Sequence, residues 1–364
     1  MKVLHVIMGL RKAAGTSTFC GEVCNQLVAR GYDVTIAVLD PAVPDRYPLD
    51  SRVQVISIES LLNNGCQSPL TNHYSIVHIH GLWSPNLHRV SSWAHAQAIP
   101  VIWSTHGMTA PWSLHHKWLK KLPAWLLYQK WDLKRTAAIH CTMELEVDWN
   151  KRLGFKNCFV APLGTSLPNL CSTPTPKTYT STSKTLLFVG RIYPVKALDR
   201  LIEAYARVEA SLRHNWVLRL VGPDQAGHMS ELKNLCKSLC VESSVVFAGP
   251  KFNDELNDEY ANCDCLALVS HTENFGATVV DAMSYGKPVI TSTKTPWKTV
   301  ADNGCGWCVC NDVGSLSAAL ADMMRKGDAT RAEMGARGRA LVEAYYTWSA
   351  VCDKIIRGYE SVLG

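Results

Sequence analysis

The sequence predicts an α/β protein of two domains, each built on a mainly parallel, doubly wound sheet. Three observations lead there. Short apolar runs alternate with longer segments of helical period through most of the 364 residues, as in repeated βαβ units. Over residues 168–184 (PNLCSTPTPKTYTSTSK) the alternation stops, in a Pro-, Ser- and Thr-rich stretch with the composition of an exposed linker. It then restarts, and each half opens with a strand, a Gly-bearing turn and a helix: Ile7-Met8-Gly9 with Gly15-Thr16, then Phe188-Val189-Gly190-Arg191. Two Rossmann-like lobes with a cleft between them follow from this pattern.

The expected strands of the first half are residues 3–8, 34–39, 53–58, 76–80, 101–105, 137–141 and 158–163, and those of the second are 185–190, 216–222, 245–249, 265–270 and 287–292. Helical segments follow over 314–343 and from Trp348 to Leu363, where Val351, Ile355, Ile356, Tyr359 and Val362 recur at helical spacing. The domain division is therefore 1–167, a linker over 168–184, 185–345, and a helix over 346–364 packing back toward the N-terminal domain.

Composition narrows the class. With 47% hydrophobic and 19% charged residues the chain is ordinary globular material, and a net charge of +6 is too mild for a nucleic-acid partner. No apolar run approaches the roughly 18 residues that span a bilayer. Residues 3–10 after Lys2 resemble a short signal peptide but run at once into Arg11 and Lys12, and read as a first buried strand. Fourteen cysteines lack the regular spacing of a disulfide framework, so reduced thiols in a cytoplasm are expected. The group Cys305, Cys308, Cys310, Cys263 and Cys265 reads as buried thiols rather than a zinc site, with Cys308 and Cys310 alternating along an expected strand.

The second half carries the clearest chemical signal. Gly190-Arg191 ends a strand, and Lys196 stands at the expected opening of a helix over 196–211. An Arg and a Lys beside a helix N-terminus suit phosphate oxygens; a surface pair flanking a tight turn is the alternative. In 271–292 (HTENFGATVVDAMSYGKPVITS), Glu273 follows a strand and Asp281 lies eight residues later. A helix starting near Phe275 leaves the backbone N–H groups of Phe275, Gly276, Ala277 and Thr278 as donors for a diphosphate. Glu273 then faces the cleft and Asp281 can reach a ribose diol, the alternatives being a loop carboxylate and a solvated helix residue.

Gly190-Arg191 with Lys196, Glu273-Asn274-Phe275-Gly276 with a carboxylate at 281, then Ala282-Met283 and Gly286-Lys287-Pro288-Val289-Ile290, resemble the retaining glycosyltransferases of family 4. That family has the GT-B fold, two Rossmann-like domains with parallel sheets facing each other across a cleft. Gly15 and His106-Gly107-Met108 extend the resemblance over the N-terminal half. It implies transfer of a hexose-type sugar, with retention, from a UDP- or GDP-linked donor to a glycan hydroxyl. Arg191 and Lys196 would hold the diphosphate, Glu273 the sugar, Asn274 and the backbone of Phe275 to Thr278 the donor, and Asp281 the ribose. His106 would lie on the cleft wall near the reacting centre, and Gly190 and Gly15 would belong to the donor loops, Gly15 allowing close approach to phosphate. Three positions depart from the family pattern: Asp281 where Glu is usual, Ala197 where Gly is more usual, and Ala14-Gly15 in place of a Gly pair. None removes a charge.

Negative charge developing on the leaving diphosphate suits Arg191, Lys196 and a helix dipole. No Asp-x-Asp motif sits where a metal-dependent transferase needs one, so neither a metal nor another cofactor is expected. Front-face attack, with the departing phosphate taking the acceptor proton, is what the family implies. His78 and His80 lie on alternate positions of one strand and read as structural, His80 being the cleft-facing one.

Residues 112–135 hold six Lys or Arg against one Asp, interleaved with Trp112, Trp118, Trp125 and Trp131, and Pro123 is expected to divide them into two helices. Trp112, Lys117, Trp118, Lys120 and Lys121 suit an anionic membrane surface or a lipid-diphosphate acceptor; an amphipathic domain helix with its tryptophans in the core is the alternative. The sequence thus reads as a cytoplasmic enzyme, peripheral at the inner face of the plasma membrane, glycosylating a polyprenyl-diphosphate-linked glycan in bacterial surface-polysaccharide assembly. Rival readings are a GT-B enzyme acting on a soluble acceptor and a non-catalytic sugar-nucleotide-binding protein. The intact Arg191, Lys196, Glu273 and His106 argue against the last.

Overall fold

The structure, a computed structural model, describes residues 1–12, 15–63, 74–169 and 183–364. The linker expected over 168–184 therefore falls largely outside the described residues, as does Ala14. The chain forms two compact units, Met1–Gly164 with Trp348–Gly364, and Thr165–Thr347.

The first unit holds strands β1 (Lys2–Ile7), β2 (Asp33–Val38), β3 (Gln54–Ser57), β4 (Ile76–His80), β5 (Val101–Ser104), β6 (Ala138–Cys141) and β7 (Cys158–Val160) in the order β3-β2-β1-β4-β5-β6-β7. Its pairs are parallel. A parallel sheet is covered on both faces, and its strands read as near-continuous apolar runs. One face packs Val3, Ile7, Ile36 and Ile102 against Phe19 and Val23 of the helix Gly15–Ala29 and against Val351, Ile355 and Tyr359 of the helix Trp348–Leu363. The other buries Leu4, Val6, Val77, Ile79 and Trp103. Arg30 ties the first helix to the last through Asp353 at 3.1 Å and Ser349 Oγ at 2.8 Å.

The second unit holds β8 (Lys184–Val189), β9 (Trp216–Val221), β10 (Val245–Gly249), β11 (Cys265–Leu268), β12 (Val289–Ser292) and β13 (Gly306–Val309), again parallel, in the order β10-β9-β8-β11-β12-β13. In both sheets the chain winds outward from the first strand and then reverses. The reversals fall between β1 and β4 and between β8 and β11, where adjoining loops part and leave room for a ligand.

Two local expectations need correction. The helix expected over 196–211 is a short 3-10 turn, Pro194–Lys196, followed by α-helices Leu198–Arg207 and Ala210–Arg213. The joint is Ala197, at φ 53°, the left-handed region that favours Gly. Pro123 does not divide the basic segment either. The break comes at Lys117, with φ 53°, and Trp118 to Arg135 runs on as α-helix, a π-helical turn over Trp125–Gln129, and α-helix. Proline has no N–H to give the carbonyl four residues back, and the adjoining wider turn accommodates the fault without ending the helix.

Among the described residues every cysteine is a free thiol, and Cys310, expected to be buried, is exposed. No described helix is long and apolar enough to cross a membrane.

Gly222 follows β9 at φ 147°, and a Cβ there would strike the Gly190 carbonyl. Gly222→Ala is expected to destabilise the second unit by about 2 kcal/mol or more and to shift the Gly190–Arg191 loop. Urea denaturation checks this; an unchanged transition contradicts it.

Candidate active site

At the β8/β11 reversal the second unit gathers several expected residues. Lys196 Nζ donates to Glu273 Oε2 at 2.6 Å, each side chain 15% exposed, and Ser270 Oγ donates to the same oxygen at 3.1 Å. The His271 N–H donates to the Val195 carbonyl at 2.9 Å, stitching the two loops. Arg191 is exposed, with Nη1 donating to Gln225 Oε1 at 2.9 Å. Its loop is fixed by the Ile192 N–H on the Pro223 carbonyl and the Gln225 N–H on the Ile192 carbonyl. Lys196 and Glu273 are thus brought together, whereas Arg191 stands outside their ion pair.

The helix after Glu273 starts later than expected, at Ala277, with Gly276 as its N-cap at φ 79°. Phe275 is therefore not a first-turn residue. It is buried, its carbonyl accepts the Trp297 indole N–H, and its ring meets Trp297 edge-on at 5.2 Å. A Cβ on Gly276 would run into Leu268 and Trp297. The donors at this end are the first-turn N–H groups of Ala277 and Thr278, which have no intrahelical acceptor; that of Val279 turns back to the Gly276 carbonyl at 3.0 Å. Asn274 Oδ1 is buried without a partner. Asp281 is not a solvated helix residue: it accepts from Thr165 Oγ1 at 2.9 Å, and burial pushes its pKa up to about 6.

In the first unit His106 follows β5 with φ 47°. Its loop is braced by buried Glu146, which accepts from Thr105 Oγ1 at 2.5 Å, Thr142 N–H at 2.7 Å, Thr142 Oγ1 at 2.9 Å and the Gly107 N–H. His106 Nε2 lies 3.1 Å from His80 Nδ1, and His80 Nε2 lies 2.9 Å from His5 Nδ1. His78 and His80 are both fully buried, and only His80 touches His106. Burial and neighbouring imidazoles push the pKa values of His78 and His80 well down, that of His106 to about 3 and that of His140 to about 4. At Gly15 a Cβ meets no protein atom within 4 Å, so packing does not demand glycine there.

His5, His140, Tyr359 and Glu146 were missed because each stands alone in sequence; sheet register aligns His5 and His140, and packing of the helices Trp348–Leu363 and Glu144–Arg152 brings in Tyr359 and Glu146. Trp297 and Thr165 were missed for the same reason.

The tryptophans of the basic segment settle the core alternative. Trp112, Trp118 and Trp131 are exposed, as are Leu119, Leu122, Leu126 and Leu127, and only Trp125 packs inward. Lys117 and Lys120 lie exposed beside them. Lys121 caps an apolar groove of about 220 Å³ whose lining includes Trp83, Trp118, Leu122 and Trp125.

Two doubly wound units, one with a Lys–Glu pair beside a helix N-terminus and the other with an imidazole at a strand end, define the class as a two-domain GT-B fold. Residues 13–167 match the family model described as Glycosyltransferase Family 4, and residues 176–341 that described as Glycosyl transferases group 1. Together these span most of the chain, which belongs to the GT-B glycosyltransferases of family 4. It is 33% identical over 193 residues to the D-inositol 3-phosphate glycosyltransferase of Kineococcus radiotolerans, covering 49% of this chain and 44% of that protein. To the namesake of Gordonia bronchialis it is 32% identical over 208 residues, covering 53% and 45%. The chain thus spans less than half the length of these relatives.

Among solved structures, the sucrose-phosphate synthase of Thermosynechococcus elongatus matches with a TM-score of 0.74 at 17% identity, covering 100% of this chain and 99% of that one. Anabaena Alr3699/HepE, crystallised with UDP and glucose, matches with a TM-score of 0.72 at 16%, covering 99% and 100%. WaaG, a glycosyltransferase involved in lipopolysaccharide biosynthesis, matches with a TM-score of 0.69 at 17%, covering 100% of both. At these identities the likeness establishes the fold.

Buried imidazoles held neutral make the first unit acid-sensitive. Unfolded histidines titrate near 6.5, whereas folded His78, His80 and His140 stay neutral below that, so the unfolded state binds more protons as pH falls and stability is lost below 6.5. Going from about pH 7.5 to about pH 5.5 should remove about 1.4 kcal/mol per imidazole, about 4 kcal/mol for the three. Urea denaturation at both pH values reads this directly, and equal stability contradicts it.

Proposed function

We propose that the chain is a retaining glycosyltransferase that moves a hexose-type sugar from a UDP- or GDP-linked donor to a hydroxyl of a polyprenyl-diphosphate-linked glycan, without a metal. It does so from the cytoplasm, peripherally at the anionic inner face of a bacterial membrane, in surface-polysaccharide assembly. The Lys196–Glu273 pair at the β8/β11 reversal carries the reading. Before the donor arrives each charge neutralises the other. A diphosphate draws Lys196 away, Arg191 adds forked donors, and Ala277 and Thr278 offer backbone N–H groups. Glu273, released, accepts from hydroxyls of the sugar. As the sugar–phosphate bond breaks, negative charge grows on oxygens that these cations and the helix dipole already face. The oxygen that departs then takes the proton of the attacking hydroxyl on the same face. Asp281 and Asn274 are offered to the ribose and sugar, and Gly15 and Gly190 to close approach of the phosphates.

UDP and glucose bound to the Anabaena neighbour support a nucleoside-diphosphate sugar donor, and the lipopolysaccharide role of WaaG supports a surface glycan. The exposed Trp and Leu side chains among Lys117, Lys120 and Lys121 support a membrane surface. A soluble acceptor is the second reading, favoured by the D-inositol 3-phosphate named for the relatives.

Lys196→Ala and Glu273→Gln are each expected to lower kcat by about 10²-fold or more without loss of fold, with an α-linked donor giving an α-linked product by NMR and EDTA leaving the rate unchanged. Wild-type turnover in either variant, or inversion, refutes the site as drawn. Trp118→Ser with Trp131→Ser is expected to abolish pelleting with anionic vesicles while sparing turnover on a water-soluble acceptor. Wild-type protein that ignores anionic vesicles moves the assignment to the soluble acceptor.

A further inference from the structure

The parallel register lays the polar residues of the first unit in rungs on one face of an otherwise apolar sheet. His5 pairs with His78 across β1 and β4, His80 with Ser104 across β4 and β5, and Ser104 with His140 across β5 and β6. Side chains two apart share a face, so these groups line up beneath Tyr359 of the last helix. They form an unbroken series: His106 Nε2 to His80 Nδ1 at 3.1 Å, His80 Nε2 to His5 Nδ1 at 2.9 Å, His5 Nε2 to Tyr359 Oη at 3.2 Å, Tyr359 Oη to His78 Nδ1 at 2.7 Å, His78 Nε2 to Ser104 Oγ at 2.6 Å, Ser104 Oγ to His140 Nδ1 at 2.6 Å, and His140 Nε2 to the Ala161 carbonyl at 2.7 Å.

We propose that this series, anchored on the Ala161 carbonyl, locks His106 as its Nε2–H tautomer and leaves Nδ1 as a hydrogen-bond acceptor, making His80, His5, Tyr359, His78, Ser104 and His140 positioning residues. A carbonyl can only accept, so His140 Nε2 carries the proton. A neutral imidazole has one donor and one acceptor, hence His140 Nδ1 accepts from Ser104, which accepts from His78 Nε2. His78 Nδ1 then accepts from Tyr359, whose oxygen accepts from His5 Nε2. His5 Nδ1 accepts from His80 Nε2, and His80 Nδ1 from His106 Nε2. Reversing any link sets two lone pairs or two protons against each other. Burial keeps four of the rings neutral: the pKa values of His78, His80, His106 and His140 are all pushed down.

The ligand that such an Nδ1 accepts is a hydroxyl or N–H donor; a phosphate oxygen, itself an acceptor, is turned away. This deepens the role that the family resemblance implies for His106 and rests on the transferase reading for the activity readout alone. The ligand atoms of His5, His78 and His80, and of His5, Cys20 and Cys24, also lie within 4.8 Å of one another. The series already uses both nitrogens of His5, His78 and His80, so a metal ion there would have to break it.

Nitrogen NMR of the full chain labelled at histidine reads each tautomer directly, whatever the activity. All five rings are expected to show a protonated Nε2 and a bare Nδ1 at neutral pH, unchanged by added zinc. A protonated Nδ1 on any of the five, or stoichiometric zinc uptake that shifts these signals, overturns the proposal. Tyr359→Phe, with Ser104→Ala as a second cut should the first not fold, frees the outer rings from the anchor. His106 is then expected to become a tautomer mixture and kcat to fall about tenfold, the scale of one lost hydrogen bond, with KM for the donor changed less. A His106 that stays wholly Nε2–H in a folded cut variant also overturns the proposal. Absence of turnover in wild-type protein with the tautomers as expected refutes the transferase reading and leaves the lock standing.

Discussion

A sheet of parallel strands buried on both faces admits polar groups at few places, and that constraint organises both units. Along the strands, side chains must be apolar or have all their hydrogen bonds met within the protein. At the strand ends, where the winding direction reverses, loops part and polar groups can face a ligand. The second unit places Lys196 and Glu273 at its reversal, off the strand ends proper, where 15% exposure leaves the ion pair in touch with solvent. The first unit does something less common, carrying polar residues inward along β1, β4, β5 and β6 themselves. They persist because every buried ring nitrogen of His5, His78, His80 and His140 has a partner.

The fold was legible because apolar runs of β-strand length, separated by helical segments, state a parallel α/β sheet without help from any long-range contact. The thirteenth strand, Gly306–Val309, was visible only as alternation around Cys308. What was not legible was governed by a single backbone angle or a distant partner. The late helix start depends on Gly276 adopting φ 79° while Trp297 holds the Phe275 carbonyl, and no local pattern reveals a bond across 22 residues. Ala197 accepts a left-handed conformation in a place where the family resemblance has Gly more usually, and so holds the α-helix back to Leu198 and leaves Lys196 in the turn before it.

Of the site, Lys196, Glu273 and His106 were legible through motif resemblance, and their surroundings were not. His78 and His80 could be placed on one strand face by the period of two, which is how their structural character was read. Their partners His5 and Tyr359 lie at opposite ends of the chain, 354 residues apart. Similarly, the exposure of Trp112, Trp118 and Trp131 could not be read from spacing, because a helical period describes which residues share a face and not whether that face is covered.

In the proposed reaction the two units meet opposite electrostatic demands. A leaving diphosphate gains negative charge, so the groups near it should be cationic and mobile enough to leave one anion for another; an ion pair that is 15% exposed meets both needs. A sugar hydroxyl that is only held in place gains no full charge, and what it requires is a lone pair that neither protonates nor turns away. A histidine on its own gives neither assurance near neutral pH, since it titrates there and both its tautomers are within easy reach. Burial against other neutral rings removes the first failing, and a carbonyl at the far end of a continuous hydrogen-bonded series removes the second. The cost is carried by the fold: each inward-facing imidazole that keeps its pKa low in the native state is a site the unfolded chain can protonate, so acid sensitivity of the first unit and the fixed orientation of His106 are consequences of the same buried stripe.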